Sequence, residues 1–206
     1  MSQSLTDKLK SLGVKVGTSS LTQSRSKRGI AIEQVVEGQF VSTEFGETFI
    51  CENRYPLDYQ QGQSGIQLSA SLDVLAQWVG ETRLSGLPPE TYAFLDTETS
   101  GLAGGTGTYA FMVGVGRFEG SEFHLVQFFM RDPAEEPGLL SALNDFLAPA
   151  QVLVTYNGKA FDAPLLRTRY RLHNAPIPFA DFIHIDLLPL ARRLWRERLP
   201  SRTLKY

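Results

Sequence analysis

The sequence has one cysteine, Cys51, in 206 residues. That excludes an internal disulfide framework and a cysteine-rich zinc site, and a reducing compartment is the natural setting. No apolar run approaches the length of a membrane span, and the N-terminus lacks the apolar stretch of a secretory signal. A cytoplasmic protein is expected. Basic charge is not in excess either: 20 Lys and Arg face 22 Asp and Glu, a net charge of −2. No global field therefore advertises a polyanionic partner. The glycine-rich run Gly104-Gly105-Thr106-Gly107-Thr108 lacks the lysine of a phosphate-binding P-loop, and no helix follows it, so it reads as a tight turn. The three histidines, His124, His173 and His184, are scattered and read as strand or loop residues rather than ligands.

What the chain does have is an ordinary globular composition, 42% apolar and 20% charged, and length for one good-sized domain plus a small appendage. Its charge is unevenly spread. Residues 165–206 hold nine Lys and Arg against three acids, a net of +6, which leaves −8 for residues 1–164. A basic C-terminal part suits a phosphate-tracking surface, although a charged helix face is also simply a solvated one.

Residues 1–28, rich in Ser, Thr, Lys and Gln, read as a flexible tail. Residues 29–66 read as a small β-unit and connector. Short β-forming runs at 30–36, 39–43 and 48–51 are expected there, with a turn at Glu44-Phe45-Gly46-Glu47. Residues 67–206 form the main domain. Leu72, Leu75, Ala76 and Val79 recur at helical spacing, with Ser69 or Ser71 able to cap the helix and Gly80 to end it. Three antiparallel strands follow, then alternating helices and strands. The order β-β-β-α-β-α-β-α predicts an α/β fold, a mixed five-stranded sheet flanked by helices. Ligands of such sheets sit beyond the carboxyl ends of the parallel strands.

Two acidic groups belong at that edge. Asp96 and Glu98 end the first strand of the main domain, and residues i and i+2 of a strand share a face. Two like charges this close are costly unless a proton or a cation lies between them. A hard divalent cation fits. The second group is Asn157 to Asp162, just past the fourth strand. Each has a plainer reading. Asp-Thr-Glu-Thr-Ser-Gly also suits a strand running into a polar turn. Asp162-Ala163-Pro164 also suits a helix start with Asp162 as N-cap. Asp186, before Leu-Leu-Pro, carries the same cap signature and is read as structural. Cys51 is read as a small apolar filler.

The run Phe94-Leu95-Asp96-Thr97-Glu98-Thr99-Ser100-Gly101-Leu102 resembles the first motif of the DEDD exonucleases, a proofreading class with an RNase H-like fold. Asn157, Phe161 and Asp162 in Tyr-Asn-Gly-Lys-Ala-Phe-Asp resemble their second motif. The Gly-Gly-Thr-Gly-Thr-Tyr turn, the Tyr-Asn-Gly-Lys-x-Phe-Asp run and Arg54-Tyr55-Pro56-Leu57 resemble the YprB-type RNase H-like proteins of bacteria. The resemblance implies a metal-dependent nuclease, a 3′→5′ exonuclease on a single-stranded nucleic-acid end. Asp96, Glu98 and Asp162 would be catalytic ligands of two Mg2+ or Mn2+ ions. Thr97 and Leu102 would meet the terminal nucleotide, and Asn157, Lys159 and Phe161 would also face the substrate. A third motif, Tyr or His followed by Asp on a helix after the fifth strand, has no candidate before Tyr206. The main domain is thus expected to be incomplete at its C-terminus. The rival expectations are a catalytically silent nucleic-acid-binding module and a protein-interaction domain.

Overall fold

Gly46 adopts a φ of +123°, a conformation that glycine takes without strain, and it closes a hairpin between β1 (Gln39–Thr43) and β2 (Gly46–Pro56). The Thr43 hydroxyl fastens this corner, donating to Gly46 O at 2.9 Å and accepting from Phe45 N–H. The computed structural model describes residues 30–67, 71–101 and 107–197. The chain divides after Ala31, and the fold belongs to the unit from Ile32 onward. The expected tail, residues 1–28, lies outside the described residues, as do Leu102 and most of the glycine-rich turn.

The central sheet has seven strands rather than the expected five, in the order β1-β2-β7-β6-β5-β8-β9. They are joined by β5 (Tyr92–Thr99), β6 (Ala110–Glu119), β7 (Glu122–Phe129), β8 (Val152–Thr155) and β9 (Ile183–Asp186). The extra two are β1 and β2, expected in a small unit apart. β2 runs for 11 residues and pairs antiparallel with β7 from Phe49↔Phe129 to Pro56↔Glu122. An otherwise bare β7 edge thereby finds its backbone partners. Strands β3 (Gln60–Gln61) and β4 (Ser64–Gly65) make a separate two-stranded ribbon. Residues 30–36 do not form the expected strand; Ile32–Gln34 make one exposed 3-10 turn instead. From β5 on, the expected order of strands and helices is the one found, with β8 and β9 parallel to β5.

Helices cover the sheet unequally. Helices α2 (Glu136–Leu147) and α3 (Asp162–Leu172) lie on one face, where Leu139, Leu143, Leu166 and Tyr170 meet Leu95, Val113, Val115 and Phe128. Leu143 is fully buried, which contributes about 1.5–3 kcal/mol. Gly138 lets α2 approach the β1–β2 corner, since a Cβ there would lie 3.0 Å from Gly46 backbone atoms. Buried Glu136 locks α2 to α3 by accepting from the Arg169 guanidinium and contacting His173. Burial would push its pKa up, but the bonds from Arg169 and then His173 prevail and hold it below the ordinary value.

On the other face, α1 (Leu72–Val79) covers only the β8–β9 side, packing with Leu84 on Tyr92, Val152, Val154 and Ile185. Its ends are as expected. The Ser71 side chain accepts from Asp73 N–H, and Gly80 closes the C-terminus at φ +71°. Helix α4 (Leu187–Leu194) follows β9. None of the described helices is long and apolar enough to cross a membrane.

Candidate active site

Strand β5 is apolar where it crosses the core and polar where it leaves it. Tyr92, Ala93 and Leu95 are buried, while Asp96 and Glu98 are exposed. Period-two alternation puts Asp96 and Glu98 on the face that α1 only partly covers, and half-buried Thr97 on the face of α2 and α3. Asp96 pairs across the sheet with Gly114 and Glu98 with Met112, after which the register shifts at Thr99. Such a bulge bends a strand end and re-aims its side chains. On the other side β8 runs parallel to β5, with Phe94 opposite Val154. The loop after β8 therefore leaves at the same edge as the two acids.

That loop, residues 156–161, is held tightly. Asn157 sits at φ +68°, which Asn tolerates better than most residues. Gly158 turns against β8 so closely that a Cβ would lie 2.5 Å from Thr155 Cβ. The buried carboxylate of Asp186 accepts from Asn157 N–H at 2.7 Å and Lys159 N–H at 3.1 Å. It also accepts from Leu188 N–H at 3.0 Å, capping α4. Asp186 is thus structural as expected. Its grip on the loop after β8 was not foreseen, because nothing local in the sequence joins positions 29 apart.

Asp162 is not the cap of α3. The N-cap is Phe161, which makes no side-chain capping bond, and Asp162 is the first helical residue. Its buried carboxylate accepts from the Thr97 hydroxyl at 2.5 Å. The side chain of Thr97 thus positions an acid, while the expectation for Thr97 concerns its backbone. Asp162 lies near enough to Asp96 to act on it. Although the residue is largely exposed, partial desolvation of its carboxyl at the strand end first, then Asp162, then Glu98 raise the Asp96 pKa above its ordinary value, against a lowering bond from Thr97 N–H. Asp96 and Glu98 on one face of β5, and Asp162 bonded to Thr97 on the other, therefore stand at the same sheet edge without forming one cluster.

Among the described residues, no group of three or more His, Cys, Asp or Glu side chains is arranged to hold a metal ion. The donor chemistry suits a hard cation: oxygen ligands only, with like charges whose repulsion a cation would relieve. One oxygen of Asp162 is engaged by the Thr97 hydroxyl, which fixes the orientation of its carboxylate. Of the remaining expected residues, Asn157, Lys159 and Phe161 lie in the loop between β8 and α3. Phe161 is 49% exposed. Lys159 lines a cavity of about 570 Å³ with Arg83, His184 and Arg193, and the Arg193 guanidinium donates to Trp78 O. Leu102 lies outside the described residues. The three histidines stand elsewhere: His124 beside Glu119, His173 on Glu136 and His184 on the Thr155 hydroxyl.

Comparison with known proteins adds a family. Residues 93–206 match the RNase H superfamily. Over 159 residues the chain is 35% identical to YprB of Bacillus subtilis (strain 168), a protein described as uncharacterised. That match covers 73% of this chain and 37% of the relative, so the chain spans little more than a third of it. Among solved structures, the family B DNA polymerase of the hyperthermophilic archaeon Pyrobaculum calidifontis aligns at 19% identity and a TM-score of 0.39. It covers 52% of this chain and 16% of the polymerase.

Proposed function

The chain belongs to the RNase H superfamily, and from that premise we propose that it is a metal-dependent nuclease, a 3′→5′ exonuclease on single-stranded nucleic acid. The observation that supports the reading is the placement of Asp96 and Glu98 on one face at the end of β5, with Asp162 of α3 bonded to the residue between them, Thr97. Asp96, Glu98 and Asp162 would hold Mg2+ or Mn2+. The ions, when bound, supply electrostatic stabilisation of the phosphate and an activated water. In the hydrolysis, a water oxygen bonds to phosphorus, the bond from phosphorus to the 3′-oxygen of the remaining strand breaks, and that oxygen takes a proton. The chain's own contribution is positioning. Asp186 fixes the loop after β8, Thr97 sets the resting orientation of Asp162, and Lys159 and Phe161 stand exposed at the rim.

A second reading, nucleic-acid binding without turnover, is favoured by the Thr97–Asp162 bond, which holds the third acid at the face of β5 opposite to Asp96 and Glu98. One assay separates the readings. A 5′-labelled single strand incubated with Mn2+ is shortened stepwise by a nuclease, and the Asp96→Asn variant leaves it intact. Binding by both forms with no shortening by either establishes the silent module. Equal shortening by both forms sinks the proposed site.

A further inference from the structure

On the face of the sheet that α2 covers, three basic side chains stand in one row. Arg54 on β2 lies opposite His124 on β7, and His124 lies opposite Arg117 on β6. His124 and Arg117 are buried, at 6% and 8% exposure. Phe146 of α2 packs on both: its ring meets the imidazole edge to face at 5.2 Å, and the Arg117 guanidinium lies 4.7 Å over it. Carboxylates flank the row. Glu119 gives one oxygen to the Arg117 guanidinium, and its other oxygen lies 3.1 Å from Arg54 Nη1 and 3.2 Å from His124 Nδ1. Glu122 lies 3.5 Å from Arg54. On the other side of the ring, Glu52 Oε1 is 3.7 Å from His124 Nε2. Asp145 of α2 lines the same cavity. Burial would raise the Glu119 pKa, but the bond and charge of His124, then Arg117 and Arg54, hold it below its ordinary value.

One nitrogen of this ring has two neighbours that exclude each other. His124 Nδ1 lies 3.2 Å from Arg54 Nη2, which only donates, and 3.2 Å from Glu119 Oε2, which only accepts when ionised. A bare Nδ1 accepts from Arg54, and a protonated Nδ1 donates to Glu119. With Arg54 as donor, the neutral ring carries its proton on Nε2, an atom with no hydrogen-bond partner among the described residues. The doubly protonated ring faces a carboxylate at each nitrogen. The Glu52 side chain is 40% exposed, so a small rotation can bring it to Nε2. Arg54 then keeps Glu119 and Glu122. Histidine is the side chain that takes up a proton between pH 8 and pH 5. We propose that His124 is a proton-operated clasp: protonation exchanges Arg54 for Glu119 and Glu52 and tightens β2 against β7. The inference does not depend on the nuclease reading. The contacts of the charged ring exist only in the folded chain. Their contribution is present on the acid side of the imidazole titration and is lost as pH rises through it.

Two measurements on the whole chain test this. The imidazole nitrogen shifts of His124 at pH 8 are expected to report the Nε2–H tautomer. An Nδ1–H tautomer overturns the proposal, because Arg54 then has no lone pair on the ring to donate to. The second measurement is hydrogen exchange of the β2 amides, corrected for the intrinsic rate and referred to the β8 amides to cancel changes in global stability. Between pH 7.5 and pH 5.5 it is expected to slow about tenfold, the scale of one charge-assisted bond. His124→Gln is expected to abolish that slowing, and Glu52→Ala to remove most of it. A β2-to-β8 ratio that does not move with pH in the parent chain overturns the proposal. Equal slowing in the parent chain and in Glu52→Ala overturns it too, and that comparison decides if His124→Gln does not fold.

Discussion

Asp162 and Asp186 begin successive helices, each following a parallel strand and its loop or strand end, and each with a proline three residues into the helix or its first turn. The sequence gives them nearly the same signature, and the structure gives them different work. Asp186 accepts three backbone N–H bonds and has its oxygens committed. Asp162 accepts one bond, from a side-chain hydroxyl, in a helix whose cap lies elsewhere. A carboxylate saturated by backbone donors is part of the scaffold. A carboxylate held by one hydroxyl can be released to a cation or a substrate without unmaking the chain around it.

The sharpest way to break this comparison is to neutralise each acid in turn. Asp162→Asn, like Asp96→Asn, is expected to lower hydrolysis of a labelled strand on the order of 10²–10³-fold and to leave the melting transition nearly in place. Asp186→Asn is expected to cost about 2–3 kcal/mol of stability, because a buried acceptor of three N–H groups is replaced by an amide that cannot accept them all. Denaturant titration reads that loss. Were Asp162→Asn the more destabilising and Asp186→Asn the more damaging to hydrolysis at equal stability, the division of roles would be reversed.

Thr97→Val sharpens the same contrast from the other side. It removes the single bond that holds Asp162 and adds a methyl group to a half-buried position. The expected cost in stability is about 1 kcal/mol. The expected gain is tighter Mn2+ binding, read by the upward shift of the melting temperature with added Mn2+, since Asp162 is then free to turn toward Asp96. Weaker Mn2+ binding in Thr97→Val would mean that the hydroxyl orients Asp162 for the ion rather than away from it.

The chain itself shows why some of this was legible and some was not. Strand periodicity alone puts Asp96 and Glu98 on one face, and β5 keeps that rule. The helical spacing of Leu139, Leu143 and Leu147 is equally local, and α2 buries those residues. What failed depends on distance along the chain. β2 meets β7 by pairing Arg54 with His124, and Glu52-Asn53-Arg54 looks too polar by itself to extend a strand into a sheet. Residues 30–36 carry β-branched side chains but have no neighbouring strand to pair with, so propensity yields to context. For Asp162, the helix-start signature offers a cap beside the ligand reading, and the structure places the cap at Phe161 instead. The competing donor, Thr97, lies 65 residues away and is visible only once β5 and α3 are packed.

The smallest expected effect lies on the scaffold side of the comparison, two residues before Asp186. His184 is half-buried on β9 and bonded to the Thr155 hydroxyl at 2.9 Å. Burial first, then the nearby charge of Lys159, lowers its pKa from 6.5 to about 4, with Arg167 adding to the fall and Asp186 opposing it. The folded chain therefore keeps this ring neutral where the unfolded chain protonates it. Between pH 6.5 and about 4 the unfolded state binds more protons, so stability falls as pH falls through that window. Partial exposure limits the effect to the order of 1 kcal/mol. His184→Gln keeps a hydrogen-bonding group beside Thr155 and removes the titration. Denaturant midpoints from pH 7 to pH 4 should fall less steeply for His184→Gln than for the parent chain. Parallel slopes would assign the acid sensitivity to carboxylates such as Glu136, whose depressed pKa makes its bonds fail only as pH drops below about 4.5.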